Sequence, residues 1–234
     1  MARNAVAVIP ARGGSKRIPR KNIKLFAGRP IIAYTIVAAL ESGLFERVVI
    51  STDSEEVALV ATEHGGEVPF LRDPKLGDDL TPVSEVILDA LIRLQSRGYC
   101  FDSVAQLMPN CPLRTALDVR DSYQQFEETG ADSQISVVRY GWQNPWWAMR
   151  RSKEHRLESI FPEAIASRSQ DLPELFCPTG AIWWARAEVL SRARTFYIEN
   201  ATGWAIPWQR GIDIDTPDDW AMAEVLKKQI QFKQ

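Results

Sequence analysis

Residues 5–9 read AVAVI, five apolar side chains in a row. Strand side chains alternate between two faces, so an unbroken apolar strand must be covered on both of them. That condition belongs to the interior of a parallel sheet clothed by helices, and it restricts the fold more than any other feature of this chain. The segments that follow fit it. "PIIAYTIVAAL" (30–40) has helical spacing, with Pro30 suited to a first turn and Gly43 to a stop. "RVVIS" (47–51) reads as a second buried strand with Thr52 and Asp53 at its C-terminal end, followed by "SEEVALVATEHG" as a helix capped by Ser54 and closed by Gly65. "GEVPFL" (66–71) reads as a further strand, 81–98 as a long amphipathic helix, and "FDSVAQLM" (101–108) as a strand running into the loop "PNCPLR".

A helix around 116–129 and a strand over 133–140 continue the rhythm, which then breaks at 141–165, a stretch rich in Trp and short charged runs. "GAIWWA" (180–185) predicts a strand, "GWAIPWQ" an edge strand interrupted by Pro207, and 216–231 a closing helix capped by Thr216 with Pro217 at its first position. The alternation predicts one domain over 1–234, a three-layer α/β/α sandwich with a mainly parallel sheet and an excursion at roughly 140–175. Ligands of such sheets bind beyond the C-terminal strand ends, where the loops after 9, 51 and 108 should gather.

Charge is unevenly distributed along the chain. The net charge of −2 argues against a general nucleic-acid binder, yet no Asp or Glu precedes Glu41 while eight Lys and Arg do, so the first forty residues carry +8 and the rest −10. Six of those cations fall within "IPARGGSKRIPRKNIK" (9–24), directly after the first strand. Gly13 and Gly14 permit positive φ and close backbone approach, and Arg12, Lys16 and Lys21 supply charge; together they suit a polyphosphate. The spacing is neither that of a P-loop nor that of a dinucleotide fold. Three cysteines without CxxC spacing and only two histidines offer no disulfide framework, zinc site or triad. With no run of membrane-spanning length and no signal-peptide pattern, a cytoplasmic protein is expected.

The second informative stretch is "GIDIDTPDDW" (211–220). Asp213 and Asp215 alternate with Ile212 and Ile214, so on a strand both carboxylates face one side, where a cation such as Mg²⁺ would relieve their repulsion. Asp218 and Asp219 suit the N-terminus of the closing helix.

These segments resemble the cytidylyltransferases that activate sialic-acid-like nonulosonates. "IPARGGSKRIPRKNI" looks like that family's phosphate loop, "STDSEEVA" its second strand and turn, "PNCPLR" its PTSPLR loop, "RSQDLP" and "PTGAIWW" its sugar-side segments, and "DIDTPDDW" its metal-binding end. The resemblance covers almost the whole chain. It implies a nucleotide-diphospho-sugar transferase-like fold and the transfer of CMP from CTP to a nine-carbon 2-keto sugar acid, with release of pyrophosphate. It further implies that Arg12, Ser15, Lys16 and Lys21 hold the CTP phosphates with Gly13 and Gly14, that Asn22 contacts the nucleotide, and that Arg72 approaches the phosphates. Asp213 and Asp215 would hold Mg²⁺, so that Arg12, Lys21, Asp213 and Asp215 carry the chemistry. Arg168, Gln170 and Thr179 would serve the sugar. The 140–175 excursion, with Trp142, Trp146 and Trp147, corresponds to an arm of a homodimer that reaches into the partner's site. Where relatives have Gln before the Pro of PTSPLR this chain has Met108, so Met108 and Pro109 are expected to select cytosine through the main chain, with the thioether packed against the ring or turned into the core. A 3-deoxy-manno-octulosonate-type enzyme and a catalytically silent homologue are the alternatives.

Overall fold

In a computed structural model, which describes residues 4–78 and 80–231, the first strand behaves as its composition requires. β1 (Ala5–Pro10) is buried along its whole length. Ala5, Ala7 and Ile9 enter one core and Val6 and Val8 another, so the strand separates two apolar layers. The remaining elements are the hairpin β2 (Leu25–Phe26) and β3 (Arg29–Pro30), α1 (Ile31–Ser42), β4 (Arg47–Ser51), α2 (Glu55–Glu63), α3 (Val83–Gln95), β5 (Ser103–Gln106), α4 (Ala116–Thr129) and β6 (Ser133–Arg139). They are followed by β7 (Met149–Arg151), β8 (Leu157–Ser159), β9 (Phe176–Arg186), α5 (Ala187–Ala193), β10 (Ala201–Ala205) and α6 (Pro217–Gln231).

The central sheet has the order β10-β6-β9-β5-β1-β4. β1 pairs in parallel with β4 and β5, and β6 with β10, whereas β9 runs antiparallel between β5 and β6. Residues of α1, α2 and α4 fill the first core, and those of α3 and α5 the second, giving the expected three layers. The chain passes from β1 to β4 on one side and then returns to β5 on the other. The reversal beside β1 opens a crevice at the C-terminal ends of β1 and β5. A third cluster, in which Ile18 and Phe26 meet Ile214, Trp220 and Ala223, fastens α6 to the N-terminal loop and carries the 211–216 segment to that crevice.

Several expectations change in detail. The 66–71 stretch makes one parallel bridge, Glu67 to Val49, and then bends at Pro69 and Phe70; Pro69 has no N–H to continue a ladder. Residues 212–215 join no sheet, and the Ile214 N–H donates to the Asn110 carbonyl at 2.9 Å, so the strand expected there is a loop. β10 stops at Ala205, before Pro207, on the sheet edge. The helix α5 and the hairpin β7–β8 were not foreseen. Ser54 caps α2 by accepting from Val57 N, Gly43 ends α1 at φ 68°, and Thr216 and Asp219 bond reciprocally at the start of α6, as read from the sequence. Among the described residues no helix is long and apolar enough to cross a membrane.

Trp184 on β9 is the largest fully buried side chain. It stacks on Phe45 and Phe126, and its indole N–H donates to Ser122 Oγ at 3.1 Å. Trp184→Ala should therefore lower unfolding free energy by about 3–5 kcal/mol in urea titrations. Leu59→Ala, on the exposed side of α2, should stay within about 0.5 kcal/mol. Equal effects at the two positions would contradict this placement of the core.

Candidate nucleotide and metal site

The crevice is a cleft of about 550 Å³. Nine of the residues singled out in the sequence line it: Arg12, Ser15, Lys16, Lys21, Asn22, Arg72, Met108, Pro109 and Asp215. The segment after β1 supplies the cationic floor, and Arg72, Leu76, Asp78, Thr81, Val83 and Val86 supply the opposite wall, where Leu76, Val83 and Val86, like Met108, add apolar surface. The lining thus combines several cations with apolar surface, as a nucleoside triphosphate requires.

Hydrogen bonds shape the floor. Asn22 is buried and its amide donates to the Arg12 carbonyl at 2.9 Å, which braces the loop from within. The Arg12 guanidinium reaches the opposite wall, donating to the carbonyls of Gly77 at 3.2 Å and Asp78 at 3.0 Å. Gly13 is required for a reason other than the one expected. Neither Gly13 nor Gly14 adopts a positive φ. A Cβ on Gly13 would lie 2.8 Å from Ser54 Cβ, and the Gly13 N–H donates to Asp53 Oδ1 at 2.9 Å. That amide is therefore committed to the protein, and side chains supply the positive field.

The far end of the chain closes the cleft. Lys21 Nζ donates to the Ile214 carbonyl at 2.9 Å and to Asp215 Oδ1 at 3.0 Å, while Arg17 pairs with Asp215 Oδ2 at 3.0 Å. Burial alone would raise the Asp215 carboxyl, but Lys21 and Arg17 outweigh it and hold the pKa below its ordinary value. Asp213 goes the other way: burial pushes its pKa up and the neighbouring Asp215 charge adds to the effect, against the Cys111 thiol and the Gly180 N–H. Cys111 Sγ donates to Asp213 Oδ1 at 2.6 Å, and Gly180 N lies 3.1 Å from Oδ2. Asp213 lies behind the cleft and does not line it, whereas Asp215 does. The two supply the hard carboxylate oxygens that Mg²⁺ takes, and the ion would displace the Lys21 and Arg17 contacts on Asp215, with phosphate oxygens and water for the remaining positions. Among the described residues no cluster of three or more His, Cys, Asp or Glu competes for that role.

Other candidates sit elsewhere. Thr179 is buried, and its hydroxyl is shared with Ser136 at 3.1 Å and accepts from Ala181 N, so its side chain belongs to the sheet. Arg168 and Gln170 are exposed and do not line the cleft, and Arg168 pairs with Asp171 at 2.9 Å. Met108 lines the cleft with its side chain, but its peptide groups are engaged internally. Its N–H donates to the Gly180 carbonyl, and its carbonyl accepts from Thr35 Oγ1 and Arg114 at 3.3 Å each. Met108 both lines the cleft and packs against the first core.

The sequence reading gave no site role to Asn110, which lines the cleft beside Asp215, or to Leu76, Asp78, Thr81, Val83 and Val86 on the opposite wall. Asn110 lay in a quoted loop with no charge to mark it. Val83 and Val86 have the same helical spacing as core residues, and only the topology brings them to the cleft.

A family model described as cytidylyltransferase matches residues 6–102. The CMP-N,N'-diacetyllegionaminic acid synthase of Legionella pneumophila is 38% identical over 229 residues, covering 94% of this chain and 95% of that protein. The pseudaminic acid cytidylyltransferase of Campylobacter jejuni serotype O:2 is 34% identical over 224 residues, covering 95% and 96%. Among solved structures, a CMP:2-keto-3-deoxy-manno-octonic acid synthetase complexed with CTP superposes with a TM-score of 0.70 at 18% identity, over 97% of this chain and 99% of that one, a likeness of fold. Identity of this order along nearly the full length of both chains, together with a cationic cleft at the sheet's reversal, shows that the chain belongs to the nonulosonate cytidylyltransferase family.

Proposed function

We propose that the protein transfers CMP from CTP to the anomeric hydroxyl of a sialic-acid-like nine-carbon 2-keto sugar acid, releasing pyrophosphate. The observation that carries this reading is the full-length likeness to a CMP-N,N'-diacetyllegionaminic acid synthase and a pseudaminic acid cytidylyltransferase. The cleft supports it chemically. Attack of a hydroxyl on the α-phosphorus needs two polyanions placed in line and the departing pyrophosphate neutralised. Arg12, Lys16 and Lys21 surround the space a triphosphate would enter, and Ser15 and Asn22 supply neutral polar groups at its edge. An ammonium has three donors, and Lys21 uses two within the protein. Met108, Val83 and Val86 offer the base an apolar slot. Asp213 and Asp215 would hold Mg²⁺, which when bound neutralises phosphate charge and makes the attacking hydroxyl more acidic. We place the reaction in the cytoplasm, with its CTP supply.

The excursion supports an arm. β7 and β8 form a sheet of their own, apart from the central one. Trp146 and Trp147 pin this region internally, their indole N–H groups donating to the carbonyls of Pro173 and Ala164. Trp142, 88% exposed, and Leu157 instead face outward. Their exposure favours a homodimer in which Arg168 and Gln170 serve the partner's sugar site.

Pyrophosphate release with Mg²⁺, CTP and a panel of nonulosonates tests the reaction. At least one sugar acid should give CTP-dependent release, and failure with every member of the panel would contradict the reading. Asp213→Ala and Asp215→Ala should each lower turnover about 100-fold or more while thermal melts stay cooperative, and excess chelator should stop the unmodified enzyme. Turnover that persists in chelator would remove the metal. Met108→Ala should raise KM for CTP and UTP by a similar factor, about three- to tenfold, because a thioether packs against either ring and the Met108 peptide is already engaged. A changed CTP-to-UTP ratio would show that Met108 reads the base. Light scattering should give twice the chain mass, and Trp142→Asp combined with Leu157→Asp should give monomers. A monomeric unmodified protein at micromolar concentration would exclude the arm's proposed role.

A further inference from the structure

We infer that Asp53 is a positioning residue for the nucleotide: its carboxylate joins the backbone of the phosphate loop to the Arg72 guanidinium, so that both meet the triphosphate as one unit. The inference rests on the reading of the cleft as a CTP site. Asp53 does not itself line the cleft; it acts through groups that do. It stands just beyond β4, where three segments converge on its side chain. Oδ1 accepts the Gly13 N–H at 2.9 Å and lies 3.7 Å from Arg72 Nη2. Gly77 packs so closely that a Cβ there would fall 2.6 Å from Oδ2, so the turn after Arg72 is moulded onto the same carboxylate. The Arg12 guanidinium is bonded to the carbonyls of Gly77 and Asp78, and the contact is therefore made from both sides of the cleft.

Arg72 itself points to an anion. It is only 4% exposed yet lines the cleft, and its Nε is buried without a hydrogen-bond partner. A buried guanidinium with an orphaned donor is costly unless a ligand completes it. Asp53 is the carboxylate paired with it, and Arg12 adds like charge nearby. Without the Asp53 charge, Arg72 and Arg12 would repel each other across the space the phosphates enter, and the Gly13 turn would lose its anchor.

Asp53→Asn separates these effects, because an amide oxygen still accepts from Gly13 while the charge is gone. CTP binding by calorimetry, and KM for CTP, should weaken about tenfold, with kcat lowered less than about threefold. In an Arg72→Met background the same change should cost less than about twofold, because the pair it breaks no longer exists. Losses that simply add, or a fall in kcat with unchanged KM, would overturn the assignment. If Asp53→Asn does not fold, Asp53→Ser is measured in its place, and unfolding of both would assign Asp53 to stability and overturn it equally. Failure of the unmodified protein to bind CTP would defeat the CTP reading itself, whereas normal binding with additive variants would defeat only the role of Asp53.

Discussion

The Lys21 ammonium, bonded at once to the Ile214 carbonyl and the Asp215 carboxylate, joins two parts of the chain that the sequence keeps far apart. One part carries the excess positive charge, the other the paired acids. Unopposed, the cations of the 12–24 loop would repel one another and open the loop, and Asp213 and Asp215 would oppose each other's ionisation. Brought together they compensate, and the compensation happens at the crevice where the sheet order reverses. The apolar cluster of Ile18, Phe26, Ile214 and Trp220 beneath holds the two parts in register. Polar contact and core packing thus fix the same geometry.

In the proposed reading, this arrangement makes the cleft receptive to a triphosphate rather than merely basic. Lys21 is mostly buried and its partner Asp215 less so, which places the pair where screening by solvent is reduced and charge acts over a longer range. Arg12 is drawn across to the 77–78 carbonyls, and Arg72 is buried behind it. An arriving triphosphate would meet cations already oriented by the protein, so little reorganisation would remain for the reaction itself.

Much of this was legible in the sequence, and the reasons are specific. AVAVI could be placed because a strand apolar on both faces has few homes. The loop after it stood out because charge without compensation is rare in a packed chain. Asp213 and Asp215 were visible by their alternation with isoleucine, although the segment is a loop rather than a strand. What stayed hidden depends on partners distant in sequence. Gly13 reads as a flexible turn, but its backbone is ordinary, and it is glycine because Ser54 lies against it. Met108 reads as a main-chain recognition element, but Thr35, Arg114 and Gly180 occupy its peptide groups. Thr179 reads as a sugar contact, but Ser136 takes its hydroxyl. The β7–β8 hairpin could not be read at all, because nearly all its side chains are exposed and nothing in it alternates.

The central claim is that CTP lies with its phosphates between the 12–22 loop and Asp215 and its base beside Met108, and a crystal structure of the protein with CTP tests it most directly. The account predicts triphosphate density within hydrogen-bonding distance of Lys21 and Arg12, Arg72 Nε satisfied, and the cytosine ring against the Met108 thioether. Nucleotide bound with its base on the 12–22 loop, or at the opposite end of the sheet, would contradict it.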